Sequence, residues 1–225
     1  MDHPADRRVD LVVPIKRLDR AKSRLRGALD APHADLVLAL LLDTVVAAVA
    51  AQGVRRVLVV CEDTRVPPAL RGSGAECVDE RGLPDLNAAL SFGADRLRER
   101  DPAVVVGALQ ADLPALRAAE LDTALDRAAG RRAFCADRPG TGTTLLLTAP
   151  GAPLDPRFGV GSAGAHAASG AVAVGAGLDS LGCDVDTAAD LAVAAALGLG
   201  PRTGALTGRT QNFSQTLDRG CPIRP

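Results

Sequence analysis

The chain has 225 residues, a formal net charge of −1 and 2% aromatic residues. A nearly neutral charge without long runs of one sign excludes a general binder of nucleic acid or of anionic membranes, and so few aromatic rings exclude a base-stacking platform for single strands. The length predicts one sizeable domain with its own core.

Hydrophobic periodicity and turn residues predict alternating strands and helices in the first part of the chain. The predicted order is a strand at 9–14, a helix at 32–52 ended by Gly53 as its C′ residue, strands at 56–61 and 76–78, a helix at 84–100 with Pro84 in its first turn, a strand at 103–108 and a helix at 118–129. Such alternation is typical of a largely parallel sheet with helices on both faces.

Several strands follow one another in the second part of the chain. The predicted order is strands at 132–136 and 143–148, a loop at 149–162, a short helix at 163–168, strands at 171–174 and 181–185, and a last helix to about residue 197 that Thr187 and Asp190 open as a capping box. Consecutive strands indicate some antiparallel pairing. We therefore expect one α/β domain over residues 9–200, a flexible N-terminus at 1–8 and an extended or partly disordered tail at 201–225.

The sequence indicates a cytoplasmic protein. Its first residues are charged and include Pro4, unlike a secretory signal, and the apolar run 36–42 is too short to span a bilayer. The five cysteines have no C-x-x-C spacing, which argues against both a disulfide framework and a zinc site.

Lysine is used in one place only. Lys16 and Lys22 are the two lysines among 26 basic residues, and both follow the first predicted strand. Open α/β sheets bind ligands at the carboxyl ends of their strands, so Lys16, Lys22 and Arg24 are predicted to form a cradle for a triphosphate. A solvated basic loop explains the same spacing.

Acidic residues follow two later elements. Asp112 comes just after the strand at 103–108, where a carboxylate suits Mg²⁺, although a turn or cap residue is the alternative. Asp184 and Asp186 point to the same side of an extended backbone, and two such carboxylates repel unless a cation lies nearby. Asp186 has an alternative role beside the Thr187 cap.

Two loops are candidates for binding an anion. Residues 140–144 form a Gly- and Thr-rich loop of the kind that makes a backbone nest, and residues 157–162 place an arginine, two glycines and Ser162 before a short helix. Both patterns also occur in plain turns. His166 lies nearby, with packing or capping as the alternative to catalysis, and the sequence contains no P-loop, nucleophile elbow or dinucleotide fingerprint.

Taken together, these segments resemble the 2-phospho-L-lactate / phosphoenolpyruvate guanylyltransferase family over about residues 9–200. The segments that carry the resemblance are Pro14-Ile15-Lys16 with Ala21-Lys22-Ser23-Arg24-Leu25, Asn87-Ala88-Ala89-Leu90, Ala111-Asp112-Leu113-Pro114, Gly140-Thr141-Gly142-Thr143-Thr144, Phe158-Gly159 with Ser162 and His166, and Asp184-Val185-Asp186-Thr187 with Asp190-Leu191. The resemblance implies a single-domain nucleotidyltransferase fold (GT-A or Rossmann-like), GTP as donor, and transfer of GMP to a small phospho-acid in coenzyme F-420 biosynthesis.

The resemblance also implies roles for individual residues. Metal-binding acids, with Mg²⁺ as cofactor, fall on Asp112 and Asp184. Contacts to the phospho-acid fall on Thr144, Gly159 and Ser162. Nucleotide-binding positions fall on Pro14, Lys16, Lys22, Ser23, Arg24 and Asn87, of which Lys16, Lys22 and Arg24 are the predicted catalytic cations. Asp85 stands where the family usually has glycine, which removes backbone freedom beside Asn87.

Phosphoenolpyruvate is the preferred acceptor, with 2-phospho-L-lactate as the alternative. Rival functions are a nucleotidyltransferase that guanylylates a pterin or cytidylylates a polyol phosphate, and a non-catalytic nucleotide-binding regulator. The first rival would be expected to have a Gly-rich loop where this chain has Pro14-Ile15-Lys16, and the second could lose the metal acids. Glu62 or Asp63 is a candidate for guanine recognition, with a solvated loop as the alternative. A homodimer and transfer of product to a downstream enzyme are further expectations.

Overall fold

A seven-stranded sheet crosses the residues that this computed structural model describes, 8–29, 31–80 and 82–208. Its strands are β1 (Val9–Ile15), β2 (Val54–Cys61), β3 (Glu76–Asp79), β4 (Val105–Leu109), β5 (Ala133–Ala136), β6 (Thr143–Leu147) and β7 (Val172–Ala173). The helices are α1 (His33–Ala50), α2 (Val66–Ala69), α3 (Leu86–Arg98), α4 (Ala118–Ala128), α5 (Ser162–Ala168) and α6 (Ala188–Leu197), with a 3₁₀ turn at Ser23–Leu25.

The strand order is β3-β2-β1-β4-β6-β5-β7. β6 is antiparallel to both of its neighbours, β4 and β5, while all other adjacent pairs are parallel. The predicted mixed, mostly parallel sheet is thus confirmed. Because β6 runs in the opposite direction, its first residues lie at the carboxyl end of β4, where the Gln110 N–H donates to the Thr144 carbonyl at 2.9 Å.

Helices cover both faces of the sheet, as predicted. Alternate residues of β1 enter different cores, since Leu11 packs in one cluster with Leu41 of α1 and Val12 in another with Leu90 of α3. Gly93 permits the close approach of α3, because a Cβ atom there would lie 2.5 Å from a methyl group of Val12. The central strands are therefore buried on both sides, and polar groups gather at their ends.

Among the described residues, α1 is the one helix long and apolar enough to cross a membrane by composition. Within that window 56% of the helix is buried inside the fold, and Asp43 and Thr44 are among its buried residues. A core helix of this kind has the same composition as a membrane span, so α1 is accounted for by packing.

Some predicted boundaries are wrong. Gly53 is not a C′ residue, because α1 already ends at an extended Ala51 and the Gly53 N–H donates to Asp122 at 2.8 Å. Pro84 lies before α3, which starts after Asp85. The carboxylate of Asp85 caps the helix by accepting from the Ala88 N–H at 2.9 Å. Residues 181–185, all within the described part, do not form a strand. Val185 instead donates its N–H to the Asp112 carbonyl at 3.0 Å, so this segment crosses the end of β4.

The predicted tail begins with a helix. Residues 201–208 are helical, because the buried carboxylate of Asp43 accepts hydrogen bonds from the N–H groups of Arg202 at 3.1 Å and Thr203 at 2.7 Å. This cap comes from α1, so no local pattern announces it. The predicted N-terminal segment up to residue 7 and the tail beyond residue 208 lie outside the described residues.

Candidate active site

A cavity of about 210 Å³ opens at the carboxyl ends of β1 and β4. Its lining includes Pro14, Lys16, Lys22, Leu86, Gln110 and Asp112. The loop after β1 and the turn after β4 therefore meet at one edge of the sheet, where the sequence predicted a ligand site.

Three carboxylates meet beside this cavity. Oxygen atoms of Asp112, Asp184 and Asp186 all lie within 4.8 Å of one another. Asp112 is 4% exposed, and its Oδ1 atom is buried without a hydrogen-bond partner in the described part of the chain. Burial raises the pKa of Asp184, Lys22 lowers it and Asp186 raises it further. This set of hard oxygen donors, one of them an unsatisfied buried oxygen, fits a Mg²⁺ ion.

Two of the three cations of the predicted cradle, Lys22 and Arg24, contact these acids. The ammonium group of Lys22 donates to Asp112 and, at 2.5 Å, to Oδ1 of Asp186. Arg24 donates to Oδ2 of Asp186 at 2.7 Å. Lys22 has left-handed backbone angles (φ 54°, ψ 43°) at the start of the 3₁₀ turn, and Ser23 beside it is exposed. Residues far apart along the chain thus form one cluster of positive and negative charge.

Lys16 lies apart from this cluster. It is exposed on the same cavity and makes no ion pair with any residue in the described ranges within 4.0 Å. Its charge lowers the pKa of Glu80, which burial raises. The charge of Lys16 thus acts on Glu80, the residue that follows β3.

The turn that carries Asp112 is held by α1. Thr44 is fully buried on this helix; its hydroxyl oxygen accepts from the Leu113 N–H at 2.9 Å and donates to the Leu40 carbonyl at 2.8 Å. Sequence reasoning missed Thr44. A hydroxyl within an otherwise apolar helix was the available signal, because a buried hydroxyl requires hydrogen-bond partners.

The segment that carries Asp184 and Asp186 is fixed by the predicted capping box. Asp190 accepts from the Thr187 N–H at 2.9 Å, and the Thr187 hydroxyl accepts from the Asp190 N–H at 3.3 Å. Because Asp190 serves the cap, the carboxylate of Asp186 is left to contact Lys22 and Arg24. The structure thus places Asp186 beside Asp112 and Asp184, the two acids that the resemblance assigned to a metal.

The three residues predicted to bind the phospho-acid lie on the other side of β4. Thr144 and Ser162 are 1% exposed, and the loop of Thr144 is joined to α5 by a bond from the Ala163 N–H to the Thr141 carbonyl at 3.1 Å. Gly159 has φ +138°, a conformation that favours glycine. Because the Gln110 N–H donates to the Thr144 carbonyl, Thr144 lies next to the turn that carries Asp112, two residues after Gln110.

Asn87 makes a contact that the sequence did not indicate. Its amide nitrogen donates to the Phe158 carbonyl at 3.0 Å, and its amide oxygen accepts from the Phe158 N–H at 2.8 Å. Asn87 thus ties α3 to the loop before Gly159, and its nucleotide contact stays a prediction. Asp85, two residues earlier, is extended at φ −151°, so it occupies the position of the family's glycine without strain.

His166 packs inside the fold. Its Nε2 atom accepts from the Arg157 N–H at 3.0 Å, which leaves the proton on Nδ1, 2.9 Å from the Thr143 hydroxyl. Burial, followed by the charges of Arg132 and Arg157, lowers the pKa of His166 from 6.5 to about 4. Of the two predicted roles, this geometry supports packing, in which His166 joins β6 to the Arg157 segment.

We expect His166 to remain neutral at pH 5. Between pH 6.5 and about 4 the unfolded chain binds a proton at this residue that the folded chain does not bind. Its contribution to stability is thus complete above pH 6.5 and is lost as the pH falls, by about 2 kcal/mol at pH 5. Imidazole ¹⁵N NMR, with the His166→Gln variant used for assignment, should show an Nδ1–H tautomer that does not titrate above pH 5. A titration midpoint near 6.5 would contradict it.

Of the two candidates for guanine recognition, Asp63 is already engaged. Its carboxylate accepts from the Leu18 N–H at 3.0 Å and from the Arg65 side chain at 2.8 Å, and Arg65 lowers its pKa. Asp63 thereby holds the loop after β1 in place. Glu62 is exposed.

Residues 9–197 match the protein family described as "Guanylyl transferase CofC like". The chain is 52% identical to the phosphoenolpyruvate guanylyltransferase of Salinispora arenicola over 202 residues, which cover 88% of this chain and 92% of that protein. It is 47% identical to the phosphoenolpyruvate guanylyltransferase of Thermomonospora curvata over 214 residues, which cover 94% of each.

Solved structures resemble this one in fold. A protein described as a nucleotide-diphospho-sugar transferase from Desulfovibrio desulfuricans superposes with a TM-score of 0.67 at 14% identity, covering 92% of this chain and 97% of its own. A 4-diphosphocytidyl-2C-methyl-D-erythritol synthase superposes with a TM-score of 0.57 at 13% identity, covering 85% of this chain and 99% of its own. At such low identity these likenesses establish the nucleotidyltransferase-like fold alone.

Proposed function

The chain belongs to the CofC-like guanylyltransferase family, and from this membership we propose that it transfers GMP from GTP to the phosphate of phosphoenolpyruvate in coenzyme F-420 biosynthesis. The observation that carries the proposal is the contact of Lys22 with both Asp112 and Asp186 at the sheet edge. The start of β6, with Thr144, adjoins this edge through Gln110. Groups that suit a triphosphate and groups that suit a small anion are thereby adjacent.

The reaction needs no general base from the protein. A phosphomonoester has a second pKa of about 6, so at pH 7 it is mostly a dianion that can attack a phosphorus atom directly. A phosphate oxygen of the acceptor forms a bond to the α-phosphorus of GTP. The bond from that phosphorus to the oxygen bridging to the β-phosphorus breaks, and pyrophosphate leaves with the electron pair. A neutral, buried His166 is compatible with such chemistry.

Asp112 and Asp184 are the residues we propose to hold Mg²⁺, with Asp186 as a third acid within reach. When bound, the ion would offset negative charge on the phosphates and help to orient them. The unsatisfied buried Oδ1 atom of Asp112 supports this assignment. Asp186 is shared with Lys22 and Arg24, so its carboxylate also orients those cations.

Lys22 and Arg24 are the proposed contacts to the triphosphate and the leaving pyrophosphate. They are paired with Asp112 and Asp186, which keeps the cations in place. Lys22 is the more enclosed, with 21% of its side chain exposed against 68% for Arg24. Since charge interactions strengthen away from water, Lys22 should contribute more than Arg24.

Thr144, Gly159 and Ser162 are the proposed contacts to the phospho-acid. Two hydroxyl groups and a backbone that glycine leaves accessible can bind a carboxylate or a phosphate without adding positive charge. Asn87 supports this loop through both of its bonds to Phe158. We propose that Asn87 acts here as a positioning residue.

The acceptor is tested by measuring pyrophosphate release from GTP with Mg²⁺ and one candidate at a time. Phosphoenolpyruvate should give the highest kcat/KM, 2-phospho-L-lactate a lower one, and 3-phosphoglycerate or no acceptor only background release. Mass spectrometry should identify a guanylylated phosphoenolpyruvate. Background rates with every phospho-acid, or a higher kcat/KM with 2-phospho-L-lactate, would contradict the proposed acceptor.

A cytoplasmic location, a homodimer and transfer of the product to a downstream enzyme remain proposals. Burial of more than half of α1 within the fold supports the first.

A further inference from the structure

Three strands end side by side at the edge that carries the site. Ile15 of β1 pairs with Cys61 of β2, and Cys61 pairs with Asp79 of β3. The residues that follow these three are Lys16, Glu62 and Glu80. Adjacent strands lie about 4.8 Å apart, so this row spans about 10 Å from β1 to β3.

A nucleotide whose triphosphate lies near Lys22 can extend in either of two directions along this edge. On the β6 side of β4, the edge carries the start of β6 with Thr144, where we place the acceptor. The opposite direction leads from Lys22 past Lys16 to the ends of β2 and β3. The base of the nucleotide therefore falls near the row Lys16, Glu62 and Glu80.

Glu80 differs from its neighbours in this row. It is 4% exposed, whereas Glu62 and Asp79 are exposed. Its backbone N–H is fixed by the Cys61 carbonyl at 2.9 Å. Within the described ranges no hydrogen bond or ion pair reaches its carboxylate: Lys16 acts on it only as a nearby charge. A carboxylate that receives no hydrogen bond from the described residues can accept hydrogen bonds from a ligand.

We propose that Glu80 is the residue that recognises guanine. Guanine presents two adjacent donors on one edge, the ring N1–H and the 2-amino group, and a carboxylate can accept from both at once. Adenine has no donor at N1, and hypoxanthine lacks the 2-amino group. Glu80 thus selects GTP over ATP and over ITP. The inference rests on the proposed function only in taking GTP as the donor.

The test compares GTP, ITP and ATP in the Glu80→Gln variant, with Glu99→Gln, an exposed change just after α3, as the matched control. Equilibrium binding is measured without any acceptor by displacement of a fluorescent GTP analogue, so a wrong acceptor cannot affect the result. A hydrogen bond to a charged group corresponds to a preference of wild type for GTP over ITP on the order of 10- to 100-fold. In Glu80→Gln this preference should shrink to a few-fold, while Glu99→Gln should keep the wild-type ratio.

Two outcomes would overturn the inference. One is that Glu80→Gln keeps the wild-type ratio between the affinities for GTP and for ITP. The other is an equal loss of affinity for all three nucleotides, which would indicate a structural role for Glu80. Thermal unfolding is recorded for each variant. If Glu80→Gln does not fold, the same affinity ratio is measured for Glu80→Asp, which keeps the charge but shortens the side chain.

Discussion

Replacing Asp112 by asparagine should lower kcat/KM for guanylyl transfer by about 10³-fold, equivalent to about 4 kcal/mol of transition-state stabilisation. The amide keeps the size of the side chain but removes the charge that would bind a divalent cation. Asp112 is also a contact of Lys22, so one change weakens both the metal site and the orientation of the cation. Steady-state kinetics at saturating Mg²⁺ would measure the loss.

Stability should respond differently to the same change. Oδ1 of Asp112 is buried without a hydrogen-bond partner among the described residues, so removing the charge relieves a desolvation penalty while weakening one ion pair. We expect the free energy of unfolding of Asp112→Asn to stay within about 1 kcal/mol of wild type. Asp19→Asn, an exposed change in the loop after β1, is the control with normal activity. Near-normal turnover of Asp112→Asn would remove Asp112 from the proposed metal site.

Replacing Lys22 by methionine should lower kcat/KM by about 10²- to 10³-fold, because the more enclosed of the two proposed phosphate-binding cations is lost. Lys22→Arg should restore little of the activity. The ammonium sits between Asp112 and Asp186, and a planar guanidinium has a different shape and different donor directions. The sequence already indicated this requirement, since lysine is kept at this site and avoided elsewhere.

Arg24→Met provides the matched control for Lys22→Met. Arg24 contacts the same acid, Asp186, but is largely exposed, and an exposed pair contributes about 1 kcal/mol or less. Its loss should therefore reduce kcat/KM by about fivefold or less. Equal losses for Arg24→Met and Lys22→Met, or full activity of Lys22→Arg, would contradict the role proposed for the ammonium group.

Local patterns were sufficient to predict most of the sheet and part of the site. Strand and helix periodicity gave β1 and α1 to within a few residues, and the spacing of Thr187 and Asp190 gave the capping box that the structure contains. The predicted strand at 103–108 placed Asp112 just after β4. The rule that ligands bind at the carboxyl ends of strands then made Asp112 a candidate. In each case the determining residues are close together in the sequence.

The features that sequence reasoning missed depend on contacts between distant segments. Asp43 caps the helical residues 201–208 from 160 residues away. Asp186 lies 164 residues from Lys22, so its pairing could not be read from its neighbours. The predicted strand at 181–185 has strand-like residues, but Val185 binds the Asp112 carbonyl instead of a sheet neighbour. Tertiary contacts here override local preference.

Crystals of the protein grown with Mn²⁺ and a non-hydrolysable GTP analogue would test the proposed metal site by anomalous scattering. We expect one strong peak within about 2.5 Å of carboxylate oxygens of both Asp112 and Asp184, and no such peak in crystals of Asp112→Asn. A peak at other residues, or its absence at saturating Mn²⁺ with the nucleotide bound, would contradict a guanylyl transfer supported by these acids.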